Sequence, residues 1–499
     1  MCIRDSVESG EVETIPFEAP VHRVISEQAY SPFRIDDGDF RVKFARWQVA
    51  SRDGSKLAFQ AVGKIWVMDL PGGTPMRLTP DSFEEFEYSP AWSPDGEWIA
   101  FTSVDEVGGG HLWKIPVGGG AAQKLSDERG EYSQTSWSPD GNWIMVVRGS
   151  GATARTRTMA HNPWFDIVQF PSEGGTGREV TRVSGPSLPT RTSFVRPSYG
   201  PNGRIFYPQL GRGRGDSTML VSVQPDGNDR REHLTFPYAD EVVVSPNGKW
   251  VAFNEGDNVY VTGLPMVGSA GAPIIIDKKK GPFPVRRLSM TGGLFPSWRN
   301  DTTVQFGSGP FYIAYDVDHD RADTVEINLR QPRDFARGTI ALTDARIITL
   351  ENRSVIESGT VLVKNGRITC VGECEFGGVD RIESLSGKTI IPGFIDMHSH
   401  FFREYRGIIP MKAFEAAVPL AYGVTTNMDN SMWSQDVFPA AELIDAGMLI
   451  GSRTFSTGDP LYAGDAARTN DITSYKAVSY THLRAHETRH DLVCRLLLE

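Results

Sequence analysis

A short turn motif returns along the first two thirds of the chain at a nearly constant interval. Ser51-Arg52-Asp53-Gly54 precedes Lys56-Leu57-Ala58-Phe59, and Trp92-Ser93-Pro94-Asp95-Gly96 precedes Trp98-Ile99-Ala100-Phe101. Trp137-Ser138-Pro139-Asp140-Gly141 precedes Trp143-Ile144-Met145-Val146 in the same way. Weaker copies are Pro201-Asn202-Gly203, Ser245-Pro246-Asn247-Gly248 and the degenerate Trp298-Arg299-Asn300-Asp301. The glycines Gly54, Gly96, Gly141, Gly203 and Gly248 lie 42, 45, 62 and 45 positions apart. A Pro-Asp-Gly or Pro-Asn-Gly turn supplies one fixed φ and one positive φ, as a tight hairpin between β-rich strands requires. A third strand follows, such as Lys64-Ile65-Trp66-Val67-Met68-Asp69. A few short strands per unit cannot bury both faces alone, so neighbouring sheets are expected to stack around an axis.

Composition agrees with a folded chain of about three domains. Apolar residues (Ala, Val, Ile, Leu, Met, Phe, Trp, Tyr and Cys) make up 39% of the 499, and 51 glycines add to them, which is ordinary for globular proteins. A net charge of −11 argues against a nucleic-acid partner. The longest uncharged stretch, Gly263 to Ile275, is broken by Pro265, Gly268, Gly271 and Pro273, so no membrane-spanning helix is expected. Cys370 and Cys374 have three residues between them and no second pair to complete a zinc site, and are read as ordinary thiols. The tryptophans at the repeat positions read as packing residues, and the scattered His111, His161 and His233 as structural or solvated. The basic runs Arg212-Gly213-Arg214-Gly215 and Lys278-Lys279-Lys280 read as solvated loops. Over roughly residues 40–330 the repeats resemble the TolB-like, WD-repeat-like propellers, with about six blades legible. That domain is placed at residues 7–330, and the resemblance implies a periplasmic or secreted setting.

From Gly338 the pattern changes. Thr339 to Leu350 reads as a strand pair, and Gly359-Thr360-Val361-Leu362-Val363 runs through Lys364-Asn365-Gly366-Arg367 into a further strand. Asn-Gly is the strongest short-range hairpin signal. Then comes Pro392-Gly393-Phe394-Ile395-Asp396-Met397-His398-Ser399-His400. A strand alternates its faces with period two, so His398 and His400 point the same way and can converge on one divalent ion. Asp396 shares that parity and is a candidate to hold a ligand imidazole. Beyond it the chain reads as helix (Met411 to Tyr422), strand (Gly423 to Asp429), helix (Phe438 to Ala446) and strand (Ile450 to Ser456).

Residues 338–477 resemble the amidohydrolase superfamily, in particular its imidazolonepropionase-like and prolidase-like members. The resemblance implies a small β-sandwich at 338–390 and the first part of a (β/α)₈ TIM barrel at 391–477. It also implies that His398 and His400 ligate a divalent metal, zinc above all, whose activated water hydrolyses an amide-like or cyclic C–N bond in a small-molecule or peptide-like substrate. Asp429 and Asp459 lie near the catalytic face of such a barrel and are the catalytic candidates. The family's further ligands come from later strands, so the chain as written is expected to be inactive. The alternative is a propeller that binds a protein partner, with a vestigial hydrolase domain. A serine hydrolase behind the propeller needs Gly-x-Ser-x-Gly, which the sequence does not contain.

Both ends stand apart. Residues 1–6 and 478–499 resemble translated sequencing-adapter read-through, and the chain is expected to be a fragment. His482, His486 and His490 fall at helical spacing but are not taken as ligands on that account.

Overall fold

The computed structural model describes residues 3–5, 12–14, 38–107, 109–155, 161–185, 195–209, 217–265, 273–278, 280–281, 283–400, 407–430 and 432–458. Asp459 and the stretch 478–499 lie outside the described residues. In a separate N-terminal unit, strands Ile3–Asp5 and Val12–Thr14 pair antiparallel. The rest is mostly β, with two α-helices among the described residues.

The repeat motif does one mechanical job four times. The hydroxyls of Ser51, Ser93, Ser138 and Ser245 accept the backbone N–H five residues on, from Lys56, Trp98, Trp143 and Trp250, at 2.9 to 3.1 Å. Each hydroxyl donates to the Oδ1 of Asp53, Asp95, Asp140 or Asn247. That oxygen also takes the N–H two residues further on. The following glycine adopts φ of 69 to 77°, a region costly for any residue with a Cβ. Donation from serine holds the Asp53 carboxyl at about 2, and those of Asp95 and Asp140 below the ordinary range.

These turns build six sheets. Their innermost strands are Arg46–Ala50, Phe86–Trp92, Tyr132–Trp137, Ser198–Tyr199, Ala239–Val244 and Leu294–Trp298. Each touches the next in that order, and the sixth touches the first, so the ring closes. The seam is reinforced where Phe40–Arg41 pairs with Arg330–Gln331 and Gln305 Oε1 accepts the Ala50 N–H at 2.8 Å. The repeat tryptophans stitch neighbouring blades together. Indole N–H groups of Trp92, Trp137 and Trp298 donate to the carbonyls of Val49, Ala91 and Val243, each one blade back, at 2.8 to 3.1 Å. Trp137→Phe keeps an aromatic ring and removes that donor, so it is expected to cost about 1–2 kcal/mol of stability in urea unfolding. An unchanged midpoint would show that the stitch contributes nothing.

Side chains span the axis. Gln134 Oε1 accepts from Arg196 Nε at 3.1 Å and from the Trp47 indole at 3.4 Å. Arg196 also donates to the Pro296 carbonyl and lies 3.5 Å from Glu241. Burial pushes the Glu241 carboxyl up to about 7.

After the ring, strands β1 (Thr339–Ile348), β2 (Val355–Lys364), β3 (Arg367–Gly372), β4 (Arg381–Ser384) and β5 (Thr389–Ile390) form one mixed sheet ordered β3-β2-β1-β4, with β5 beside β1. Two expectations change here. The stretch from Thr339 is one bent strand, because Asp344 at φ 61° lets β1 bulge past β2 without a turn. The described residues also make a single sheet rather than two sandwich layers, with its small core at Ala345, Ile347 and Val361. The hairpin at Asn365-Gly366 forms as expected, with φ of 49° and 72°. Cys370 and Cys374 are joined in a disulfide rather than left as thiols. The turn after β3 brings their Cα atoms to 5.9 Å, within bridging range.

Strands β6 (Phe394–Ser399), β7 (Val424–Asp429) and β8 (Arg453–Ser456) form a parallel sheet with helices α1 (Phe414–Ala421) and α2 (Ser434–Asp445) as its crossovers. A closed barrel is not formed by the described residues. Helix α2 starts four residues before the position expected, so Pro439 sits within it. Its face joins the largest apolar core, where Met432, Val437, Ala440 and Leu443 pack with Trp47, Phe86 and Tyr88 of the ring. Polar ties fix the helix along its length: the Lys43 N–H donates to Glu442 Oε1 at 2.7 Å, and the Asp334 N–H to the Asp445 carbonyl at 2.8 Å.

Candidate functional site

His398 and His400 come together at the C-terminal end of β6, beyond an irregularity in its pairing with β7 between Asp396 and Ser399. Their rings lie side by side, centroids 5.1 Å apart and planes perpendicular. His398 is exposed and His400 half-buried at the C-terminal end of the strand. Asp396, at the start of that irregularity, uses Oδ1 to accept the backbone N–H of His398 at 3.0 Å.

A feature hidden in the sequence is the partner across the sheet. Parallel pairing sets Ser399 opposite Asp429 at the end of β7. This brings Asp429 Oδ1 to 3.4 Å from His400 Nδ1, and the carboxylate is fully buried. Ser399 supports the junction by donating to the Met428 carbonyl at 3.1 Å. Asp429 is thus no solvated loop residue. The signal was available only as parity, since the last residues of neighbouring parallel strands face one another, and that inference needs the register. Asp459, the other catalytic candidate, lies outside the described residues.

The donors suit a borderline metal such as zinc, with two imidazoles and a carboxylate at the imidazole's other side. Among the described residues no group of three His, Cys, Asp or Glu side chains converges as a complete ligand set. The arrangement is therefore a two-imidazole edge onto which further ligands would have to be added. Asp429→Asn keeps the shape and removes the charge beside His400. It is expected to weaken metal binding about 10–100-fold, read by competition with a chromogenic chelator; unchanged affinity would separate Asp429 from the site.

Comparison with known proteins follows the two halves. Residues 49–236 match the family model described as TolB beta propeller domain. The uncharacterized peptidase YuxL of Bacillus subtilis is 29% identical over 237 residues, covering 46% of this chain and 29% of that protein. The imidazolonepropionase of Streptomyces avermitilis is 26% identical over 144 residues, 26% of this chain and 34% of that enzyme. Among solved structures, TolB from Acinetobacter baumannii aligns with a TM-score of 0.39 at 16% identity, over 58% of this chain and 65% of its own. The chain spans about a third of the length of the two curated relatives. With six ring-stacked sheets and the matched segment inside them, the chain carries a TolB-like β-propeller domain.

Proposed function

We propose that the segment after the propeller is the opening part of a metal-dependent amidohydrolase barrel, and that the whole protein hydrolyses an amide-like or cyclic C–N bond. The observation that carries this reading is the His398–His400 pair at the C-terminal end of the first parallel strand, backed by buried Asp429. The partial likeness to an imidazolonepropionase supports the same class. His398 and His400 would hold a divalent ion, and Asp429 would keep the His400 ring oriented through its Nδ1 side. When bound, such an ion lowers the pKa of its water to about 7 and polarises a carbonyl. The chain's own contribution is to bring both rings together at the end of β6.

The Cys370–Cys374 disulfide favours an oxidising compartment, and with the TolB-like ring it supports a periplasmic or secreted location. No helix among the described residues is long and apolar enough to cross a membrane. The reading is tested by titrating the metal-free chain with Co(II) and following the d–d bands. Weak but saturable uptake at one site, as two imidazoles allow, displaced by Zn(II), is the expected result. Absence of any uptake in folded protein would defeat it.

A further inference from the structure

We propose that Arg46, on the innermost strand of the first blade, is a positioning residue for the His400–Asp429 pair. It acts by tying together the two segments that follow the strands carrying them. The proposal rests on the reading of His398 and His400 as metal ligands.

Arg46 is fully buried, and a guanidinium so placed is costly unless its donors are met. Its Nε donates to Gln60 Oε1 at 2.9 Å, inside its own blade. Its Nη1 reaches out of the ring, to the carbonyl of Gly407 and, at 3.3 Å, to that of Gln435. Gly407 lies seven positions after His400, and Gln435 six after Asp429. One nitrogen therefore holds both segments.

The chemistry explains why these two carbonyls accept an outside donor. In an α-helix the carbonyl of Gln435 would take the N–H of residue 439, and that residue is Pro439, which has none. The proline leaves a vacancy in the first turn of α2, and the propeller fills it. Gly407 is gripped from the other side as well, since its N–H donates to Asp436 Oδ1 at 2.5 Å. Tyr88, from the second blade, donates its hydroxyl to the Ile409 carbonyl at 2.5 Å. The guanidinium itself lies over the Trp47 and Tyr88 rings, 5.0 and 5.5 Å from their centroids.

An apolar contact would dock α2 against the ring with equal burial and little directionality. Hydrogen bonds from a planar cation to two defined carbonyls hold Gly407 and Gln435 at a fixed distance from one another. On the proposal, this restraint carries along the chain to His400 and Asp429. In this arrangement the propeller is part of the machinery that shapes the metal site.

The test uses the full chain with Arg46→Met and Arg46→Lys, read by Co(II) titration and by amide exchange at Gly407 and residues 435–437. Arg46→Met is expected to weaken Co(II) binding at least tenfold and to alter the d–d intensities. Exchange at both segments should speed up while the blades stay protected, and Arg46→Lys should recover part of the affinity. Tyr88→Phe, which leaves the cation in place, should give a smaller change of the same kind. Unchanged Co(II) affinity in folded Arg46→Met overturns the proposal, and so does loss of blade protection together with loss of metal, which marks a general structural role. Failure of the unsubstituted chain to take up Co(II) is a distinct result: it removes the metal reading and this proposal with it.

Discussion

The double substitution His398→Ala with His400→Ala is expected to leave a folded chain that no longer retains a divalent ion. The effect should exceed 100-fold in affinity, because altering only an outer partner of a metal ligand already costs about 10–100-fold, and here both nitrogen donors go. Stability should change far less. His398 is exposed on an exposed strand end, so its removal leaves no cavity. His400 is half-buried, and the carboxylate it faces keeps other polar interactions. The measurement is metal content after dialysis against a weak chelator, alongside thermal unfolding of the same samples. In any longer form of the protein that turns over substrate, activity should vanish in parallel. A double variant that holds its ion at the original stoichiometry would move the site elsewhere and withdraw the enzymatic reading.

How much of this could be seen in the sequence depends on the range of the interaction involved. Ser93, Asp95 and Gly96 announce their turn because every bond in it closes within five residues. The Asn365-Gly366 hairpin and the parity of His398 and His400 are local in the same sense. Trp92 shows only that something periodic must be packed; that its indole reaches Val49 in the preceding blade depends on how sheets stack. Asp429 could be placed near the right face, but its pairing with His400 could not be read, and Arg46 was out of reach altogether. The first acquires its role from the register of two strands 30 residues apart in sequence, the second from a carbonyl 389 positions away. The start of α2 at Ser434 was hidden for a related reason: the carbonyl that Pro439 leaves without a donor is met by a side chain from another part of the fold.

Raising the pH from 5 to 8 is expected to loosen the seam between α2 and the propeller through Glu442, and Glu442→Gln is expected to abolish that part of the response. The Glu442 side chain is buried among Lys43, Phe44 and α2, where desolvation outweighs the N–H groups of Lys43 and Phe44 and pushes its carboxyl from 4.5 up to about 8. Asp445 acts in the same direction and the Lys43 charge against it, with Arg46 also within electrostatic reach. The unfolded chain releases this proton near 4.5, whereas the folded chain keeps it until about 8. Stability from this group is therefore complete below pH 4.5 and lost as the pH climbs towards 8, at up to about 1.4 kcal/mol per pH unit. Glu241, raised to about 7, slopes the same way, and His233, lowered to about 4, slopes oppositely at acid pH. Both are present in wild type and variant, so the difference between the two unfolding curves isolates Glu442. Glutamine retains an oxygen for the Lys43 N–H and carries no proton to lose. The variant should match wild type near pH 5 and exceed it by several kcal/mol near pH 9. Parallel curves across that interval would mean that Glu442 is ionised and solvated in the folded chain, and that the seam is held by its apolar face, by Arg46 and by the ties to Asp445.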